Sequence, residues 1–565
     1  MMNDDDYYDE SFLRKLFLTG INTRDPKARR QALDVICSVV ETWKDALDLD
    51  DEAEQASDLL TRYLPTIVRW KTACPFKDVR AKCKEIVESL EGKAIKVPQL
   101  RHPGASAFIP ESEVISVDTD DEGTRDLFIE AYLVDNRVSN MIRLMGYHPR
   151  YLVSFLQFHV YMMHQDGPLP VHLRHYIAIL AAARHRCTYL ISLCEANFLA
   201  YGGDPIWLED PLRAPKKIRA LNHINMILAH QPWLIKPDNI KDLLQPSSDS
   251  WSLSELTHAL VILAHYHSLA GFALGCGLNP EIDSREGHVV SSPFSSESNS
   301  PPVATPRVAT EPSSRSSQCE ENDDDDDERS PVFASVTFQS VMEKLKQIEN
   351  NPDDFDFEEP STEELEKQFE TETLASAELG DPHPVATGAS YVSPRIAKYV
   401  EDPEFEHEDF AKRGDFSGVS TFRVQDFSWE DQGYSLANRL FPDIGQLLDD
   451  KFKLIVDLTY RTFGTNVEID TTMFRSAIWN YIHCIKGIFH DDYNYGEVNK
   501  MLHRDIKKYI RNVTCFPERT IVNDFNLFLA GFHYTEKVHV NLLLLEARLQ
   551  AELLYALRAI MRYMT

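Results

Sequence analysis

The sequence predicts an all-α protein, and three observations support this. Apolar residues recur at three- and four-residue spacing through most of residues 11–90, 126–276 and 436–565. Helix-start signals, such as Asp25-Pro26 and the pair Ser252 and Glu255, stand ahead of apolar segments. The alternation of apolar and polar residues that marks a half-buried strand is nearly absent. Together these patterns favour packed helices over a sheet.

Residues 1–100 are predicted to form an N-terminal helical extension. Asp25-Pro26 begins an amphipathic segment, and a similar pattern of charged and apolar residues recurs from Asp78 to Val87. Two loose matches are a weak sign of a helical repeat. Ordinary amphipathic helices are the better interpretation.

Residues 105–276 are predicted to form a first helical domain. Breaks are expected at Asp166-Gly167-Pro168, at Gly202 to Pro205 and at Gln231-Pro232. Between the first two breaks, Leu173 to Leu199 is predicted as one continuous helix. The capping box of Ser252 and Glu255 opens a further helix that runs through Tyr266.

Residues 281–425 are predicted to be a largely disordered acidic linker. Residues 281–430 hold 36 Asp and Glu against 12 Lys and Arg, so this segment has a net charge of -24 out of the -31 of the whole chain. A segment so acidic and so rich in Ser and Pro buries too little apolar surface to offset its ordering entropy. One short helix is expected from Phe338 to Ile348. The rest of the chain has no basic stripe, so nucleic acid is not expected as a partner.

Residues 430–565 are predicted to form a second helical domain. In its last helix, one apolar stripe is formed by Leu542, Leu545, Leu549, Leu553, Ala556 and Ile560. Such a stripe is typical of a core helix, which is favoured here over a membrane or partner role.

Composition and the N-terminus predict a soluble protein of the cytoplasm or nucleus. Nine scattered cysteines, an odd number, argue against a disulfide framework and for a reducing compartment. The N-terminus, MMNDDDYYDE, lacks the features of a secretory signal. No apolar run reaches the ~18 residues that span a bilayer, so no membrane insertion is expected.

Cys187 and Cys194 form the first candidate site. Seven residues along a helix separate them by about 10 Å, too far for a disulfide. Arg184 and Arg186 could lower the pKa of Cys187 and favour the reactive thiolate. The alternative is that Cys187 is a buried packing residue. His185 beside Cys187 lacks the convergent spacing of a metal site, and no metal or other cofactor is predicted.

Several stretches closely resemble the sestrin family. They include Arg174 to Leu190, Leu228 to Ile235, Ala477 to Cys484 and Glu536 to Arg548. The resemblance covers about 105–276 and 430–565. It implies an all-helical fold of two pseudo-symmetric halves, each like the alkylhydroperoxidase AhpD, joined by the acidic insert.

The resemblance implies a peroxide-reducing site in the first half. Cys187 and Tyr189 occupy the first two positions of the family's Cys, Tyr and His constellation. Cys194 stands where the family has the histidine that would act as base or relay for the thiol. Thiol-dependent alkyl hydroperoxide reduction by Cys187 is therefore kept as the alternative function.

The resemblance also implies a pocket for free L-leucine in the second half. Glu536 would pair with the ligand ammonium and Arg475 with its carboxylate. The remaining pocket positions are a lid, the apolar wall and the floor, formed by Thr459, Tyr460, Thr462, Thr471, Phe474, His539 and Leu529. Leu529 replaces a tryptophan of well-known vertebrate members, so leucine affinity is expected to be weaker by about 1 to 2 kcal/mol.

A partner surface is implied as well. Asp491 and Asp492 match paired aspartates with which the family contacts the GATOR assembly, and Arg504 and Lys507 are expected to join them. The implied function is that of a leucine-responsive stress regulator. It would bind a GATOR subcomplex and restrain TOR complex one signalling when leucine is scarce.

Overall fold

The computed structural model describes most of the chain, and most of the described residues are helical, as predicted. The described ranges are 9–49, 51–245, 250–289, 331–350, 360–380, 393–415, 418–458, 461–528 and 530–565.

The helices of the N-terminal extension and of the first half follow one another with few other elements. In the extension they are α1 (Glu10–Thr19), α2 (Pro26–Ala46), α3 (Ala53–Ala73) and α4 (Lys77–Gly92), followed by strand β1 (Gln99–Leu100). The first half contains α5 (Glu122–Asp135), α6 (Asn140–Met145), α7 (Pro149–Met163), α8 (Val171–Arg184), α9 (Thr188–Ala200), α10 (Ile206–Glu209), α11 (Lys216–Arg219), α12 (Leu221–His230), α13 (Pro237–Leu244) and α14 (Leu253–Gly275).

The linker and the second half continue the helical series. They contain β2 (His288–Val289), α15 (Pro331–Asn350), α16 (Thr362–Ala377), α17 (Pro394–Ala397), β3 (Phe422–Arg423), α18 (Tyr434–Leu440), α19 (Ile444–Asp457), β4 (Thr462–Phe463), β5 (Asn466–Val467), α20 (Thr472–Ile485), β6 (Ile488–Phe489), α21 (Gly496–Met501), α22 (Arg504–Cys515), α23 (Val522–Phe528) and α24 (Tyr534–Met564). Within the described ranges the strands form three pairs: β1 with β2 and β4 with β5 are antiparallel, and β3 with β6 is parallel.

The two halves share an order of elements. In the first half, α12 has 10 residues and ends two residues before a proline that opens the 3₁₀ turn Pro232–Leu234. In the second half, α22 has 12 residues and ends two residues before the 3₁₀ turn Pro517–Arg519. In each half, a short helix and then the longest helix of that half follow. This repeat agrees with the expectation of two related halves.

The long helices α14 and α24 lie antiparallel at the centre. His267 of α14 contacts Glu552 of α24, whereas Gly275, two turns later in α14, lies against Asn541, three turns earlier in α24. A Cβ on Gly275 would stand 2.5 Å from Asn541 Oδ1, so this close approach requires glycine. The stripe predicted for the last helix is buried, which agrees with a core helix.

Charged side chains are buried along α24 and link it to both halves. Glu546 pairs with Lys451 of α19 at 2.9 Å and accepts a hydrogen bond from Tyr151 of α7 at 2.5 Å. Further along the helix, Glu552 pairs with Arg548 and with His267 of α14, each at 2.8 Å. Glu546, Arg548 and Glu552 therefore each have an opposite charge beside them, as the burial of a charge requires.

The N-terminal extension docks on the end of α5. Trp70 donates to Asn136 Oδ1 at 3.3 Å, and Asn136 donates to the Phe17 carbonyl oxygen at 2.8 Å. Arg69 pairs with Asp283 at 2.8 Å. The predicted start of α2 is present, since Asp25 caps it ahead of Pro26.

The prediction that 281–425 is one disordered linker was wrong for several of its segments. Helix α15 is longer than the expected Phe338 to Ile348, and α16 begins with an unpredicted capping box of Ser361 and Glu364. Residues 393–415, called here the linker strap, lie across both halves. Residues 290–330, 351–359 and 381–392 lie outside the described residues, and for them disorder stays a prediction.

The prediction of one helix from Leu173 to Leu199 was also wrong. Helix α8 ends at Arg184 and α9 starts at Thr188, because Arg186 takes a left-handed conformation with φ of 53°. Cys187 therefore caps the N-terminus of α9 instead of lying within a helix. Among the helices of the described ranges, none combines the length and hydrophobicity of a bilayer span.

Candidate functional site

Glu536 is a buried carboxylate at the start of α24. Its Oε1 accepts a hydrogen bond from the Gly464 backbone N–H at 2.9 Å, and its Oε2 accepts one from the His533 backbone N–H at 2.7 Å. Gly464 reaches this position from the β4–β5 turn with φ of 63°, a conformation that favours glycine. Burial raises the pKa of Glu536, although these N–H groups and the Thr462 hydroxyl oppose the rise. No Lys or Arg of the described residues forms an ion pair with it.

Arg475 is a buried guanidinium in the first turn of α20, with 3% of its surface exposed. It donates to the Leu458 carbonyl oxygen and, at 3.0 Å, to the Thr472 hydroxyl. Its Nε has no hydrogen-bond partner within the described part of the chain, and no carboxylate there lies within ion-pair distance. A buried guanidinium with spare donors is suited to bind a carboxylate from a ligand.

Three aromatic rings form an apolar wall beside these charges. Phe474 meets Phe463 edge-on at 5.4 Å between ring centroids, and Phe532 contacts both rings, at 4.9 Å from Phe463 and 6.0 Å from Phe474. Thr462 begins β4, which contains Phe463, and Thr471 is the buried residue that precedes α20. The sequence indicated Phe474 but not Phe463 or Phe532.

His539 lies one turn after Glu536 on α24 and is buried against His148 of the first half, with ring centroids 5.5 Å apart. Burial lowers the pKa of His539, so its ring is neutral at neutral pH. Of the other predicted pocket residues, Thr459, Tyr460 and Leu529 lie outside the described residues.

Cys187 is completely buried, and its thiol is not activated in this structure. Burial raises its pKa to about 12, although the backbone N–H groups of Leu190 and Tyr189 favour the thiolate. Arg184 and Arg186 were expected to lower the pKa of Cys187, but both bind other groups. Arg184 donates to the carbonyl oxygens of the linker strap, and Arg186 pairs with Glu406 of that strap.

Tyr189 and Cys194, the other residues of the implied peroxide-reducing site, are buried as well. Tyr189 donates to Glu281 Oε1 at 2.9 Å and accepts a hydrogen bond from the Met141 backbone N–H at 3.1 Å. Glu281 was missed because the sequence assigned it to the disordered linker. Burial raises the pKa of Cys194, which lines a cavity of about 50 Å³.

A third cysteine has a different environment. Cys515, at the end of α22, lines a cavity of about 30 Å³ with His407 of the linker strap. Burial opposes its thiolate, yet the neighbouring His407 and Lys486 lower its pKa to about 7. Asp409 Oδ1 lies 3.8 Å from His407 Nε2 and supports the charge of that ring. Neighbouring residues in sequence gave no signal for this cluster.

The predicted partner residues differ in their exposure. Asp492 and Arg504 are exposed. Asp491 Oδ2 accepts a hydrogen bond from the Gln425 backbone N–H at 3.3 Å, which orients the loop after β6. Lys507 is only 7% exposed because it pairs with Glu372 of α16 at 2.6 Å. It is therefore not available at the surface as expected.

Comparison with known proteins gives consistent matches over most of the chain. A family model described as PA26 p53-induced protein (sestrin) matches residues 104–564. Sestrin-1 of Xenopus laevis is 43% identical over 86% of this chain and 97% of its own length. Sestrin-2 of Homo sapiens is 45% identical over 85% of this chain and 94% of its own, and Sestrin-3 of Mus musculus is 43% identical over 86% and 96%. The N-terminal extension lies outside the family match.

Proposed function

Because this chain belongs to the sestrin family, we propose that it is a leucine-responsive regulator. It binds a GATOR subcomplex when leucine is scarce and restrains TOR complex one signalling; bound leucine releases the partner. The proposal rests on the two buried charged side chains Glu536 and Arg475, on the aromatic cluster of Phe463, Phe474 and Phe532, and on the family membership.

The observation that carries the proposal is a pair of buried opposite charges without ionic partners among the described residues. The Glu536 carboxylate is held by backbone N–H groups and the Thr462 hydroxyl, without a cation, and Arg475 has an unpartnered Nε. Burying such groups costs free energy unless something pairs with them. A free amino acid supplies an ammonium and a carboxylate, and the Phe463, Phe474 and Phe532 wall suits an aliphatic side chain.

The same helix connects the pocket to the proposed partner surface. Arg475 lies in the first turn of α20, and Asp491 follows its C-terminus by six residues. The helix has 14 residues and is thus about 21 Å long. A ligand that pulls on Arg475 can shift α20 and the Asp491 loop together, provided that it binds one of two arrangements more tightly.

A pull-down tests the proposal. GATOR components should bind the purified chain without leucine and should be released by leucine in the millimolar range. Asp491→Ala should lose this binding, whereas Cys187→Ser should keep it. Calorimetry that detects no leucine binding at millimolar concentration would refute the proposal.

Alkyl hydroperoxide reduction by Cys187 is less well supported. The thiol is buried, its pKa is raised to about 12, and Cys194 offers no base. If Cys187 is nevertheless catalytic, the wild-type protein with a thiol reductant will consume alkyl hydroperoxide faster than Cys187→Ser.

A further inference from the structure

Three side chains from the ends of two helices converge in the first half. Asp135 is the last residue of α5, His159 lies in the C-terminal part of α7, and His164 directly follows that helix. One ligand atom from each side chain lies within 4.8 Å of the other two. The five-residue spacing of the histidines is not a common metal motif. This spacing brings the two imidazole rings together here because α7 ends at Met163, between them, and the chain then turns.

The atoms that face this point lack other partners. Asp135 Oδ1, His159 Nδ1 and His164 Nε2 are buried and have no hydrogen-bond partner among the residues that the structure describes. Asp135 Oδ1 and His164 Nε2 lie 3.1 Å apart, but their orientation does not satisfy a hydrogen bond. Ligand atoms about 2.0 to 2.2 Å from a tetrahedral Zn²⁺ stand about 3.3 Å apart. The observed spacing is thus close to that of two ligands of one ion.

The surroundings suit a bound cation. His164 Nδ1 lies 3.1 Å from the Tyr201 hydroxyl, the kind of second contact that orients metal-binding histidines. The side chain of Asp135 is 25% exposed, which gives an ion a path from solvent.

A cavity of about 50 Å³ adjoins the cluster, lined by Asp135, His159 and Cys194 among others. This is more than the ~15 Å³ that a water molecule needs. Three protein ligands with space for water match the open type of zinc site, in contrast to closed structural sites with four protein ligands.

We propose that Asp135, His159 and His164 bind one divalent first-row transition metal ion, with Zn²⁺ the best match to two imidazoles and a carboxylate. The ion would join the end of α5 to the end of α7. Because Asn136, the next residue, holds Trp70 and Phe17, the ion would also strengthen the contact of the N-terminal extension with the first half.

Metal titration of the full-length protein tests this proposal. After removal of metal by a chelator, Zn²⁺ is titrated against a chromophoric competitor, and Co²⁺ is used as a spectroscopic probe. We expect one equivalent of Zn²⁺ and a Co²⁺ spectrum without thiolate charge transfer. A spectrum with strong thiolate charge transfer would place the ion on cysteines and overturn the proposal, as would the absence of stoichiometric binding.

Variants separate a metal site from a simple ion pair. His159→Gln and His164→Arg should each weaken Zn²⁺ binding by at least about tenfold, and Arg at 164 can still pair with Asp135, so the fold is preserved. The matched control is His223→Gln at an exposed histidine, which should bind Zn²⁺ like the wild type. Zn²⁺ should raise the thermal midpoint of the wild type and of the control only. Equal Zn²⁺ binding by all four proteins would refute the assignment.

Discussion

Replacing Glu536 by Gln should abolish leucine binding at physiological concentrations while leaving the protein folded. The variant keeps the size of the side chain and an oxygen that can accept one of the two backbone hydrogen bonds. It removes the negative charge that would face the ligand ammonium. Removing one partner of a buried ion pair costs about 3 to 5 kcal/mol. Each 1.4 kcal/mol is a tenfold change in affinity, so the affinity should fall by about 100-fold or more.

Isothermal titration calorimetry measures this effect directly. The matched control is Glu364→Gln, because Glu364 closes a capping box at the start of α16 with Ser361 as its partner, far from the pocket in the chain. The control should bind leucine like the wild type. Without leucine, the stability of Glu536→Gln should change by no more than about 2 kcal/mol, since one backbone N–H loses its acceptor while a buried charge is removed. Wild-type leucine affinity in Glu536→Gln would refute the reasoning.

The pH dependence provides a second readout of the same carboxylate. Burial raises the pKa of Glu536 in the free protein. The ligand ammonium prefers the ionised carboxylate, so binding releases protons near this pKa, and affinity should fall as pH decreases through it. The decline should begin at a higher pH than an exposed glutamate would give. Calorimetry of the Glu364→Gln control at the same pH values should show the same decline, and a wild-type affinity that stays constant over this pH range would contradict the role of Glu536.

Three further outcomes are expected. With iodoacetamide at pH 8, Cys515 should be alkylated before Cys187, because their pKa values are about 7 and about 12; peptide mass spectrometry that finds Cys187 modified first would contradict this. Lys451→Met should destabilise the protein by about 3 to 5 kcal/mol in denaturant unfolding, because Glu546 is left buried without its cation, and adding Glu546→Gln should recover most of the loss. Asp491→Ala should weaken capture of GATOR components without changing leucine affinity, and equal capture would argue against that surface.

The sequence was sufficient for the helices whose signals are local. The apolar stripe of α24 and the capping box at Ser252 were both correctly predicted. Their causes, side-chain spacing and backbone capping, act within a few residues. The break between α8 and α9 was missed because it depends on Arg186 in a left-handed conformation, which no Gly or Pro announces.

Contacts between distant residues could not be predicted. Helix α16 lies in an acidic region, and its order depends on Leu365 and Phe369 packing against the second half. Lys507 was predicted to lie at the surface because its partner, Glu372, is 135 residues away in the chain and gives no local signal. The convergence of Asp135, His159 and His164 likewise needs two helix ends to meet. Pocket residues such as Glu536 and Arg475 came from family resemblance, since nothing in their 61-residue separation indicates a site.

The buried charges of α24 have a consequence for truncated forms of the chain. A fragment that stops before Tyr534 would leave Lys451, His267 and Tyr151 facing an empty channel, with no acid to accept their protons. The isolated first half would likewise lose Arg548 against His185. We therefore expect neither half to fold alone, although the sequence divides them. Because α24, with its 31 residues, contacts both halves, the two halves are expected to fold as one unit. A stop codon ahead of α24 is therefore expected to prevent folding of the whole chain.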